Sequence, residues 1–246
     1  MISLALTHAR FQLLEVVRLP IALVGSAFFP AVSMLFFVVP FAGDDPLGAT
    51  LATASMVTFA VLTTNLFQYG IGVAEDRQQP WSPYARTLPA GPLPRFAGRI
   101  IAGFVMMSIS LVPVVAIAAL LTAATITPAR FGLALLTTLL IAVPFILMGL
   151  AIGYSLPAKA AIVVAQVLFL PLAFGGGLMT PAGGAPGFIE DLAPFLPTGG
   201  AVRLMWAAAG DFPVEPLSVA ALAGWTLLLG ALAVWAYRRD EGRRFR

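Results

Sequence analysis

Few residues in this 246-residue chain could carry covalent chemistry. It has no cysteine and a single histidine, His8, so thiolate redox sites and His-based metal sites lack their ligands. There is no GxxxxGK[ST] phosphate cradle, no HExxH and no GxSxG elbow. Nucleotide hydrolysis by a P-loop and zinc- or serine-based hydrolysis on those motifs are therefore not encoded. The run Gly175–Gly177 lacks the strand-turn-helix setting of a dinucleotide site and reads as a bend or a close helix approach. The acid pairs Asp44–Asp45 and Glu190–Asp191 could serve a lipid-modifying enzyme only if histidines or nucleophiles joined them. Two neighbouring acids in a loop are ordinarily a solvated turn. No catalytic residue, metal or bound cofactor is expected of this chain.

The remaining candidates are neutral. Ser33, Thr63, Thr64, Asn65, Gln68, Ser108, Ser110, Thr137, Thr138 and Gln166 stand inside long apolar runs. In hydrocarbon such residues usually bind helix to helix through hydrogen bonds. The sharper reading is that Asn65, Gln68 and Gln166 line a translocation path. No apolar run carries a charge near its centre, whereas a proton- or ion-coupled carrier usually needs an intramembrane acid or base. Energy for transport is thus expected from another subunit.

The elements that must hold these residues follow from composition. Hydrophobic residues make up 60% of the chain and charged ones 10%, against about 25% charged in soluble domains. Unbroken apolar runs of about twenty residues select spanning helices over the shorter alternating strands of a barrel. The expected fold is all-α and membrane-integral, a single permease domain over 1–246. Six transmembrane helices are predicted at 19–41, 49–73, 100–126, 131–154, 160–179 and 217–237. Residues 1–18, with Leu4, Phe11, Leu14 and Val17 interleaved among polar residues, read as an amphipathic interfacial helix. No small-residue cleavage site marks a signal peptide.

Charge orients these spans. Twelve basic residues fall on one side, in 1–18, in 74–99, at Lys159 and in the tail from Arg238, whereas Arg130 and Arg203 fall on the other. The second side carries six acids: Asp44, Asp45, Glu190, Asp191, Asp211 and Glu215. Basic residues stay cytoplasmic, so both termini are placed in the cytoplasm of a cell (plasma or inner) membrane protein. The net charge of +3 therefore reads as topology and not as nucleic-acid binding.

Two connecting segments are informative. The cytoplasmic segment 74–99 starts with Glu75, Asp76 and Arg77 and continues through Trp81, Tyr84, Arg86 and Leu88 among prolines. A short helix along 81–88 would present an apolar knob to a cytoplasmic partner; the alternative is an aromatic anchor at headgroup level. The outer segment 180–216 contains two pieces, "GFIEDLAPFL" and "GAVRLMWAAAG", too short to span and too apolar to float free. They are expected in the interface or as re-entrant helices sheltered by protein, with Arg203 beside Trp206 at headgroup depth.

At these segments the chain resembles the type-2 ABC exporter permeases, membrane subunits of bacterial drug, lipid and polysaccharide exporters. "AEDR" (74–77) and "RTLPAGP" (86–92) are similar to their coupling region. Gly177, Pro181, Pro186, Pro197 within "PFLPTGG", and Arg203 match their outer re-entrant segment. Gln78-Gln79-Pro80 departs from the family's Gly-Thr pair, and Pro-Thr-Gly replaces Pro-Leu-Thr; both bear on subfamily and substrate. The resemblance implies a second permease copy or paralogue and cytoplasmic ABC ATPase subunits that carry the ATP and Mg. It implies that Glu75, Asp76, Arg77, Trp81, Tyr84, Arg86 and Leu88 couple this chain to the ATPase. Export of an amphipathic or hydrophobic, drug-like or lipid-like, cargo is the function so implied. A self-powered carrier or channel, an integral-membrane lipid-modifying enzyme and a membrane scaffold are the competing readings.

Overall fold

A computed structural model describes residues 2–18, 20–80 and 93–243. Among the described residues the chain is helical, without strands. The helices are α1 (Ile2–Arg18), α2 (Pro20–Ser33), α3 (Val39–Ala42), α4 (Pro46–Gln78), α5 (Leu93–Leu121) and α6 (Pro128–Ser155). They continue with α7 (Ala158–Gly175), α8 (Gly187–Leu192), α9 (Pro197–Gly210) and α10 (Pro216–Arg243). A π-helical turn, Met34–Val38, joins α2 to α3, and a 3₁₀ turn, Ala193–Phe195, follows α8.

Among the described residues five helices, α4, α5, α6, α7 and α10, are long and apolar enough to cross a membrane. The first expected span is occupied by α2, the π turn and α3, of which Ala27–Ala42 is apolar among the described residues. Pro30 lies within α2, and the π turn comes one turn after it. Proline removes a backbone donor and commonly accompanies such irregularity in spanning helices.

Local chemistry explains several boundaries that differ from the expected spans. α4 runs to Gln78, past the predicted end at 73, so Glu75, Asp76 and Arg77 belong to its last turns. It begins where the Asp45 carboxylate accepts from the Gly48 amide at 2.9 Å, with Pro46 at the first helical position. It ends at Gln79, whose backbone is extended before Pro80. The third span stops at Leu121 and not at 126. Thr127 precedes Pro128, which disfavours helix, and its side chain instead caps α6 by accepting from the Arg130 amide. The intervening strip is fastened by the Ala123 amide donating to the Gly43 carbonyl (2.7 Å) and the Thr125 amide donating to Thr50 Oγ1 (3.0 Å). α7 closes at Gly175, short of 179, and α10 extends into the basic tail beyond 237.

α4 is the axis of the molecule. Within its most apolar stretch 78% of the residues are buried, against 22% for α7 and α10. It packs on α5, α6, α7 and α9, and Phe59, Leu62, Leu66 and Tyr69 are fully buried along it. Its closest partner is α6, through Gly149 and Gly153. A Cβ at Gly149 would lie 2.7 Å from the Asn65 carbonyl oxygen and 2.8 Å from Tyr69 Cβ. Small residues four apart let two backbones meet in a setting where hydrocarbon supplies no hydrophobic drive between helices. Substitution Gly149→Leu is therefore expected to lower the thermal transition of the detergent-solubilised protein by several degrees. Gly132→Ala, where an added Cβ meets nothing within 4 Å, should leave the transition unchanged or raise it slightly.

Candidate functional site

Helix ends raise the polar problem that builds this site. The last carbonyls of a helix have no intrahelical donors, and α6 ends beside α4 at Ser155. Arg77, three turns beyond Asn65 on α4, fills the need. Its Nη1 donates to the Gly153 carbonyl at 2.6 Å and to the Leu156 carbonyl at 3.1 Å. Its Nη2 pairs with the Asp240 carboxylate of α10, and its guanidinium lies 5.9 Å from the Tyr154 ring centre. A cation at a helix C-terminus also complements the helix dipole. Asp240 is only 5% exposed, and the pair offsets part of the cost of burying its carboxylate. Arginine, with a planar fork of donors, meets two carbonyls and a carboxylate at once; lysine cannot.

Around this tie the same end of the molecule is closed by aromatic rings and a second pair. Phe96, Tyr154 and Tyr237, from α5, α6 and α10, meet with ring centres 5.1 to 6.0 Å apart. Asp76 pairs with Arg99 of α5 at a more exposed position. Glu75 is exposed. Trp81, Tyr84, Arg86 and Leu88 lie outside the described residues. The described part of the expected coupling region thus divides: Glu75 faces outward, while Arg77 is turned inward and binds three helices together.

The path candidates separate as well. Asn65 is buried and donates to the Val61 carbonyl at 2.8 Å, with Met107 Sδ at 3.5 Å. Gln68 is half-buried, and Gln166 is exposed on α7, so the three do not converge within one chain. Several of the remaining hydroxyls return to their own helix, as Thr63 does to Phe59 and Thr138 to Ala134. Thr64 and Ser110 bridge α4 and α5 at 2.9 Å.

The opposite end gathers the acid-bearing connections. Gly177 has φ +77°, the left-handed region that favours glycine. Pro181 closes a turn by accepting from the Gly184 amide at 3.0 Å, and Pro186 starts α8 by accepting from the Ile189 amide at 2.8 Å. Pro197 opens α9 and is buried, as is much of that helix. Thr198 Oγ1 donates to the Leu172 carbonyl at 2.6 Å. Arg203 pairs with Glu215, and Arg130 with Asp211. Trp206 does not sit at a headgroup surface beside Arg203. It is 5% exposed and its indole donates to Ser55 Oγ of α4 at 2.8 Å. Burial of the ring against α4 and a dedicated acceptor for its N–H outweigh the interfacial preference of tryptophan.

Residues 4–206 match the family model described as ABC-2 type transporter. The chain belongs to that family. A relative in Bacillus subtilis (strain 168), named "Putative transport permease YvfS", is 25% identical over 144 residues, which cover 58% of this chain and 59% of that protein. Together with the five apolar helices, membership makes this ABC-2 chain a multi-pass membrane protein. Pattern reading passed over two features that the structure brings into use. Asp240 is an acid in a tail dominated by arginine, and Gly149–Gly153 is a G-x-x-x-G spacing; both were visible signals.

Removing one member of a buried pair while leaving the other costs about 3–5 kcal/mol. Asp240→Ala and Arg77→Ala are accordingly each expected to be strongly destabilising in detergent unfolding. A double-mutant cycle should return a coupling above about 1 kcal/mol. The exposed pair Asp76–Arg99 should return less than about 1 kcal/mol.

Proposed function

We propose that this chain is the membrane subunit of an ATP-driven exporter, working with a separate cytoplasmic ABC ATPase and a second permease copy or paralogue. The observation that carries the reading is the family match joined to the position of Arg77. Force applied to the segment that follows Gln78 reaches the end of α4. There Arg77 already holds the α6–α7 turn through Gly153 and Leu156, and α10 through Asp240. A push from below therefore moves three helix ends as one.

The end that carries Arg77, Arg99 and the α10 tail is cytoplasmic on the positive-inside rule. The termini lie on that side of a cell membrane, with α2 to α3 as the first of six spans. α8 and α9 form the outer re-entrant pair. Glu75, Asp76, Trp81, Tyr84, Arg86 and Leu88 face the ATPase, which holds ATP and Mg. The cargo is amphipathic or hydrophobic, in keeping with spans whose polar groups are neutral. Of the three path candidates, Gln166, exposed on α7, can serve the path where two copies meet, whereas Asn65 is buried within one chain.

Purification from native membranes under mild detergent tests the reading. An ATPase with nucleotide-binding motifs should copurify, and Glu75→Ala with Trp81→Ala should reduce its recovery at least fivefold while the permease still elutes as a folded species. Uphill transport by the purified chain alone in vesicles, without nucleotide, would overturn the proposal.

A further inference from the structure

Near the acid-bearing end, α4, α5, α6 and α9 enclose a cavity of about 180 Å3. Ala54, Val57, Ala118, Ala134, Leu135 and Met205 are among its walls. Four threonines, Thr50, Thr53, Thr125 and Thr138, are the polar residues of its lining, and three of them turn their hydroxyl protons back to their own helices. Thr50 donates to the Pro46 carbonyl at 2.7 Å, Thr53 to Ala49 at 2.7 Å, and Thr138 to Ala134 at 2.8 Å. Most of the remaining lining is aliphatic or aromatic, and an apolar cavity of about 150 Å3 is enough to take up benzene. The site is built for hydrocarbon.

Its mouth identifies the source. Val115, Phe131 and Leu135, on the rim, are 43, 45 and 50% exposed, and they belong to helices long and apolar enough to span. These helices turn the mouth toward the bilayer, while Ala124, Thr125 and Ile126 of the connecting strip line its outer end. Arg130, next to Phe131, marks the polar boundary just above, in its pair with Asp211. We infer that this cavity holds an acyl chain of a bilayer phospholipid, entering between α5 and α6 from the leaflet at the Arg130 end. The inference needs only that the chain sits in a membrane, so it stands or falls separately from the exporter reading.

The test is photolabelling of the full chain in nanodiscs containing a phosphatidylcholine with a diazirine in the middle of one acyl chain, without any ATPase or nucleotide. Adducts should concentrate in 111–126 and 131–138, at least fivefold over the exposed face of α7 around Val163 and Val167. Ala134→Phe, which fills the cavity, should abolish the excess and leave labelling of α7 unchanged. Should that variant fold poorly, the unaltered protein decides alone. Labelling spread evenly over all exposed apolar faces, or an excess that survives filling, would overturn the inference.

Discussion

Two carbonyl oxygens at the end of α6 find their donors in a side chain from another helix, and much of the architecture follows from that arrangement. Between packed helices and away from water, a buried backbone group left unsatisfied costs about 1–3 kcal/mol. Arg77 meets Gly153 and Leu156 and, through its second nitrogen, neutralises Asp240. It can reach them only because α4 continues as helix for about three turns past Asn65 and lies against α6 at the separation that Gly149 and Gly153 permit. The polar tie and the glycine contact are one construction. Close backbones in the apolar layer bring the guanidinium into register beneath it.

The opposite end is organised differently. There α9 is packed against α4, α6 and α10, with Trp206 anchored on Ser55 and Thr198 on Leu172. Its fourteen residues make about 21 Å of helix, less than the roughly 30 Å hydrocarbon core. Such a helix keeps its backbone ends away from lipid only if neighbouring helices cover them. Of the two ion pairs at this end, Arg130–Asp211 joins connections far apart in sequence, and Arg203–Glu215 ties α9 to the segment that follows it. One end of the molecule is thus fastened by a buried cation, the other by a packed short helix and exposed pairs.

Composition and apolar run length sufficed for the helical class, because no other arrangement satisfies the backbone of such segments. The charge asymmetry was legible too, and basic and acidic connections do gather at opposite ends. Boundaries were less so. The Glu75-Asp76-Arg77 run looked like the start of a loop because charge normally marks the end of a span, but burial of Arg77 against carbonyl acceptors keeps the helix going. Thr122 to Ile126 read as part of a span on hydropathy alone, whereas the proline at 128 and the capping hydroxyl of Thr127 stop helix there. The inward turn of Arg77 and its pairing with Asp240 span 163 positions in sequence, and no local pattern encodes that meeting.

The claim that α4, the α6–α7 turn and α10 move as a single body is open to one direct measurement. The chain has no cysteine, so spin labels at Gln78→Cys and Arg238→Cys, both exposed positions, report the distance between the ends of α4 and α10 by pulsed electron resonance in nanodiscs. In a complex with the proposed ATPase, the account predicts one narrow distance that ATP binding does not change, and a broad one when Arg77 is replaced by leucine. A distance that shifts with nucleotide in the otherwise unaltered chain, or stays narrow without Arg77, would contradict it.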